Sequence, residues 1–243
     1  MSKTRTHQIR CPFCGQTQEA ILYDTLSVDD PGQKDELLAG RVNRVTCQGC
    51  GKSFRIAKPL LYQDRDAGIF ILYDPLVGGR TLEEAEQTFL AARKELERLV
   101  PPDVMAPELH LVVEWEELVE RIFSEGEGLD ARLLEHVKYM MYQQNPARLP
   151  AALKGLLFDA QDSTAEQLCF VVQDLKTRKL EAVLNFARKD YDALVNVFDE
   201  PSQMDLLLEQ FPGPYFNGRL KYLQDTRDEG HGHGEGCGCG GEH

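Results

Sequence analysis

Apolar positions along this chain follow two rhythms. In "EAILYDTLSV" (19–28) they alternate closely enough to read as a strand. "RVNRVTC" (41–47) reads as a second strand, and "SFRIAKPLLYQD" (53–64) and "GIFILYDPL" (68–76) as two more, joined by a turn at Asp64–Gly68. "DDPGQKDELLAG" (29–40) is a polar loop or short helix. The period then lengthens. In "TLEEAEQTFLAARKELERLV" (81–100), Phe89, Ala92, Leu96 and Leu99 recur at spacings of three and four, and charges fill the opposite face. Thr81 and Glu84 make a capping box at its start, and "PPDVMAP" (101–107) stops it.

"ELHLVVEW" (108–115) reads as a strand, and "EELVERIFSE" (116–125) and "DARLLEHVKYMMYQQ" (130–144) as amphipathic helices. "NPARLP" (145–150) marks a boundary. Beyond it "GLLFDA", "LCFVVQDL" and "EAVLNFA" predict three strands, "KDYDALVNVF" a helix, and "GRLKYLQD" a strand or helix. The fold class is therefore α+β. Residues 1–75 form a ribbon on a small antiparallel sheet, 76–145 a helical middle segment, 150–225 an α+β segment, and 226–243 a low-complexity tail expected to be disordered without metal.

The rhythm is interrupted twice by nearly the same phrase, "CPFCG" (11–15) and "CQGCG" (47–51). Cys11, Cys14, Cys47 and Cys50 thus stand as C-x2-C, 32 residues, C-x2-C. A two-residue spacer lets both sulfurs of a pair face one ion from a tight turn. Two such turns supply four thiolates, a closed tetrahedral zinc site. Gly15 and Gly51 follow the pairs; glycine there permits positive φ and offers N–H groups to the thiolates. The gap exceeds the common 15–20 residues, so an extended hairpin or loop lies between the pairs. A redox dithiol needs one such pair rather than two. An iron or iron–sulfur centre fits the same spacing. A site closed by four sulfurs has no open position for catalysis and contributes folding energy instead.

Composition narrows the class. Hydrophobic residues make up 42% and charged residues 28%, which is ordinary for a globular protein. No apolar run reaches the ~20 residues that span a bilayer, and "MSKTRTHQIRC" lacks the apolar stretch of a signal peptide. The expected location is the cytoplasm, where thiols stay reduced and cysteine pairs favour metal over disulfides. The net charge of −13 disfavours nucleic acid and makes a protein the expected partner. The charge is uneven: residues 1–60 hold nine Lys/Arg against six Asp/Glu. Arg41, Arg44, Lys52, Arg55 and Lys58 surround the second cysteine pair with no acid among them. Four thiolates on zinc carry net charge −2, which these residues would stabilise. As a nucleic-acid surface they have only Phe54 and Tyr62 interleaved.

The tail "DEGHGHGEGCGCGGEH" holds His231, His233, Cys237, Cys239 and His243, mixed ligands suited to Zn2+, Ni2+ or Cu in a flexible chain. Storage or delivery of metal is the function this would serve; a merely solubilising tail is the plain alternative. Cys169 reads as a small core hydrophobe, His110 and His136 as structural, and Trp115 as core packing. There is no G-x-S-x-G, H-E-x-x-H or phosphate-loop pattern, and nothing else that points to an enzyme.

"RCPFCG" and "VTCQGCG", with "KSFRIAKPLLYQD", "GIFILYDPL" and "LVERIFSEGEGLDARLLEHVKYMM", resemble the CpXC domain, a bacterial and archaeal family named for two Cys-Pro-x-Cys motifs. The resemblance covers roughly residues 7–140. It implies that Cys11, Cys14, Cys47 and Cys50 are the four family cysteines, and it implies no activity. Gln48 stands where the family usually has proline, a residue that stiffens the turn without ligating.

Overall fold

Residues 1–99, 101 and 108–231 are described by a computed structural model. They fall into two units, Met1–Gly126 and Glu127–His243. In chain order the first holds β1 (Lys3–Arg10), β2 (Thr17–Ser27), α1 (Gln33–Leu38), β3 (Arg44–Thr46), β4 (Ser53–Arg55), β5 (Leu60–Asp64), β6 (Ile69–Tyr73), α2 (Leu82–Leu99), β7 (Glu108–Val112) and α3 (Trp115–Gly126). The second holds α4 (Ala131–Gln144), β8 (Lys154–Asp159), β9 (Gln167–Asp174), β10 (Leu180–Ala187), α5 (Arg188–Phe198), α6 (Pro201–Gln210) and α7 (Gly218–His231).

The first unit is built on a five-stranded sheet of order β1-β2-β5-β6-β7. It is not the small antiparallel sheet that alternation predicts: β1/β2 and β5/β6 are antiparallel, but β2/β5 and β6/β7 are parallel. Parallel neighbours need long crossovers. The segment carrying α1, β3 and β4 provides the first, and α2 the second. Leu26, Leu60, Tyr62, Ile71, Tyr73 and Val112 from the sheet, Leu37 from α1, and Leu118 and Ile122 from α3 form its core. The capping box of α2 is present: Thr81 N–H donates to Glu84 Oε2 at 2.8 Å, and Glu84 N–H to Thr81 Oγ1 at 3.2 Å.

The single strand expected over 53–64 is broken in two. β4 pairs only with β3, as a separate two-stranded hairpin, and β5 joins the large sheet. Lys58–Pro59 precedes β5 and marks the break, since proline cannot donate to a ladder.

The second unit is a three-stranded antiparallel sheet, β10-β9-β8, packed on helices. Leu156, Phe158, Leu168, Phe170 and Val172 of the sheet meet Leu133, Leu134, Val137, Met141 and Tyr142 of α4. The helix over 130–144, expected to close the first region, therefore belongs to the second core, and the division falls after Gly126 rather than at 145–150. Asp130 caps α4 by accepting from Leu133 N–H at 2.7 Å. The segment 218–225 is helical, within α7. No described helix is long and apolar enough to cross a membrane.

Candidate metal centre

Both cysteine pairs sit in hairpin turns. The first closes β1 onto β2, the second β3 onto β4. The two turns repeat one hydrogen-bond pattern. Cys11 N–H donates to Gln16 O (2.8 Å) and Cys47 N–H to Lys52 O (2.9 Å). Gly15 N–H returns to Cys11 O (3.0 Å) and Gly51 N–H to Cys47 O (2.9 Å). Phe13 N–H points at Cys11 Sγ and Gly49 N–H at Cys47 Sγ, each at 3.4 Å. Gly15 and Gly51 have φ of 77° and 70°, so their place in the motif is conformational. Their N–H groups close the turn on a carbonyl; Phe13 and Gly49, two residues after the first cysteine of each pair, aim donors at that cysteine's sulfur.

The four sulfurs lie within 4.8 Å of one another. Cys11 Sγ is 3.7 Å from Cys50 Sγ, and Cys14 Sγ is 3.6 Å from Cys47 Sγ. These separations are far beyond a disulfide bond of about 2.05 Å. They match the edge of a tetrahedron of sulfurs about 2.3 Å from a central ion, about 3.8 Å. Cys11 and Cys47 are buried, Cys14 and Cys50 exposed. The donor set and its spacing therefore fit a four-coordinate ion.

The sulfurs do not titrate alike. Backbone N–H groups of Cys50 and Gly49 outweigh burial and hold the Cys47 thiol down at about 6. Cys14 is pushed up to about 12: the Gln16 N–H pulls it down, but the sulfur of Cys47, burial, and the sulfurs of Cys11 and Cys50 together outweigh that. The Cys47 thiol is easily made anionic, whereas the neighbouring sulfurs resist a charge on Cys14. A central cation removes that resistance.

Gln18 ties the two turns together. Its Oε1 accepts from Gln48 N–H at 2.8 Å, and its Nε2 donates to Thr46 O at 3.1 Å. The side chain is 8% exposed, and both bonds are partly buried. Its position in β2 gave no sign of this role in the sequence; a polar residue three positions past the knuckle glycine is the only trace.

The five cations around the second pair are dispersed. Arg41 forms two 2.8 Å bonds to the Glu36 carboxylate. Arg55 stacks on the Trp115 ring at 3.8 Å and donates to Gly40 O. Lys58 pairs with Asp24. Arg44 is exposed, and Lys52 sits over the exposed Phe13 ring at 4.8 Å. Cys169 is buried, its thiol donating to Asp162 O at 3.0 Å. His136 contacts Gln210 Oε1 and the Phe198 ring, and burial lowers its pKa. His110 is buried beside Glu125 at 3.4 Å. Trp115 also meets Tyr73 edge-on in the first core. Of the tail ligands, His231 ends α7, while His233, Cys237, Cys239 and His243 lie outside the described residues.

The family model for CpXC protein matches residues 9–138, more than half of the chain and all four clustered cysteines. No curated protein and no solved structure matches.

Proposed function

The chain belongs to the CpXC family, and we propose that this member is a non-catalytic binding or scaffold module whose surface is held in shape by one structural zinc ion. Cys11, Cys14, Cys47 and Cys50 would be the ligands. The carrying observation is the sulfur cluster, with separations of 3.6 and 3.7 Å across two matched turns. All-thiolate donors favour zinc over hard cations, and four of them leave no open position for a reacting group. The net charge of −13 favours a protein partner over nucleic acid. Native mass spectrometry of the reduced, full-length chain tests this directly. About one zinc per chain, lost together with the ribbon fold when the four cysteines become serine, is the expected result. Retention of folded structure without any metal overturns it.

A second reading is metal storage or delivery. It is favoured by the density of ligand types at the end of the chain, with His231, His233, Cys237, Cys239 and His243 within 231–243. Zn2+, Ni2+ and Cu suit this mixed imidazole–thiolate set. A chain ending at residue 229 should lose weaker, additional sites and keep the ribbon zinc. Equal metal content with and without the tail rules this reading out.

A further inference from the structure

The sulfurs of the two knuckle turns meet in crossed pairs. Cys11 Sγ touches Cys50 Sγ at 3.7 Å and Cys14 Sγ touches Cys47 Sγ at 3.6 Å, so each contact joins one turn to the other. Each contact also joins unlike neighbours: Cys11 and Cys47 are buried, Cys14 and Cys50 exposed. Solvent therefore reaches one cysteine of each contact, and a sheltered sulfur lies beside it. Gln18 fixes the register between the turns through Gln48 N–H and Thr46 O. A disulfide bond is about 2.05 Å long, so an approach of about 1.6 Å, shared by two side chains, separates contact from bond.

We propose, resting on the zinc reading above, that the centre is a peroxide-responsive switch: oxidation links Cys11 to Cys50 and Cys14 to Cys47 and sets the metal free. The exposed thiolate, Cys14 or Cys50, attacks one oxygen of hydrogen peroxide. The O–O bond breaks, and a sulfenic acid and a hydroxide form. The buried thiolate across the turns, Cys47 or Cys11, then attacks that sulfur. The S–S bond forms, the S–O bond breaks, and a second hydroxide leaves. Each pair of sulfurs gives up two electrons and reduces one peroxide, whose two hydroxides take up two protons and become water. Sulfurs bound in disulfides have no thiolate to offer an ion. Crossed links still hold turn to turn, whereas links within each C-x2-C pair would leave the turns unjoined. The switch exchanges a metal tie for a covalent one.

Hydrogen peroxide, added in a dose series to the reduced, zinc-loaded full-length chain, tests this. A chromogenic chelator follows zinc release, and non-reducing tryptic mass spectrometry maps the disulfides. Trypsin cuts after Arg10, Lys34, Arg44 and Lys52, which puts Cys11 and Cys14 in peptide 11–34 and Cys47 and Cys50 in peptide 45–52. Cys169, Cys237 and Cys239 fall in other peptides. About one zinc should be released for about two peroxides consumed. Peptides 11–34 and 45–52 should appear as one linked product, and partial reduction with alkylation should show Cys11 joined to Cys50 and Cys14 to Cys47. Dithiothreitol with added zinc should reverse both changes. Zinc kept throughout the series, disulfides within each peptide, the opposite pairing of Cys11 with Cys47 and Cys14 with Cys50, or sulfinic acids in place of disulfides overturns the switch alone. A chain that holds no zinc before peroxide is added overturns the zinc reading and the switch with it.

Discussion

The ribbon and the second unit hold their shape by opposite means. In the ribbon, β3 and β4 have three residues each, mostly exposed or half-buried, and the buried apolar groups near the tip are Ile9 and the sulfurs of Cys11 and Cys47. So small a piece buries too little apolar surface to offset the entropy of ordering its chain. The proposed metal and a few partly buried hydrogen bonds would supply its order. The second unit has a continuous apolar core, with Tyr142, Phe170 and Leu168 fully buried between sheet and helices. Removal of water from such side chains stabilises by about 1.5–3 kcal/mol each. On the proposed reading, one region is cross-linked by its metal, the other filled by packing.

The largest expected effect separates the two cleanly. A strong chelator should withdraw on the order of 10 kcal/mol from the ribbon. Amides of residues 9–18 and 43–56 should lose protection from hydrogen exchange while those of β8, β9 and α4 keep theirs. Simultaneous collapse of both regions would break the contrast. Phe170→Ala acts on the other side and should lower the stability of the second unit by about 3–5 kcal/mol through the lost side chain and its cavity. Denaturant titration measures that, and zinc content should not change. Gln18→Ala is the smallest of the three. It leaves Gln48 N–H and Thr46 C=O unpaired, at about 1–3 kcal/mol. Zinc should transfer to a competing chelator faster than from the parent chain, with the second unit unaffected.

The sequence made the metal centre legible because thiolate chemistry is local: two residues between sulfurs and a glycine after them already describe a turn. The helix α2 was legible from period and capping box, α4 from its amphipathic period, and the strands of the second unit from short apolar runs. β1 was not, since "KTRTHQIR" is polar along an edge strand with one buried residue, Ile9. α6 was missed because Leu206, Leu207 and Leu208 run consecutively, and only Leu207 is buried. The parallel pairings were hidden too, because they depend on where long crossovers return, which no local pattern encodes. The boundary went unread for a related reason: α4 advertises an apolar face but not the sheet that face covers.

The Gln48 amide couples two distant positions of the chain. Its N–H is held by Gln18, and proline, usual at this position of the motif, has no N–H to give. Proline at 48 would leave the largely buried Gln18 without this donor. Glutamine at 18 and a non-proline residue at 48 are therefore epistatic. A proline placed at 48 should therefore cost less together with a change at residue 18 than alone, because a single amide hydrogen couples the two positions.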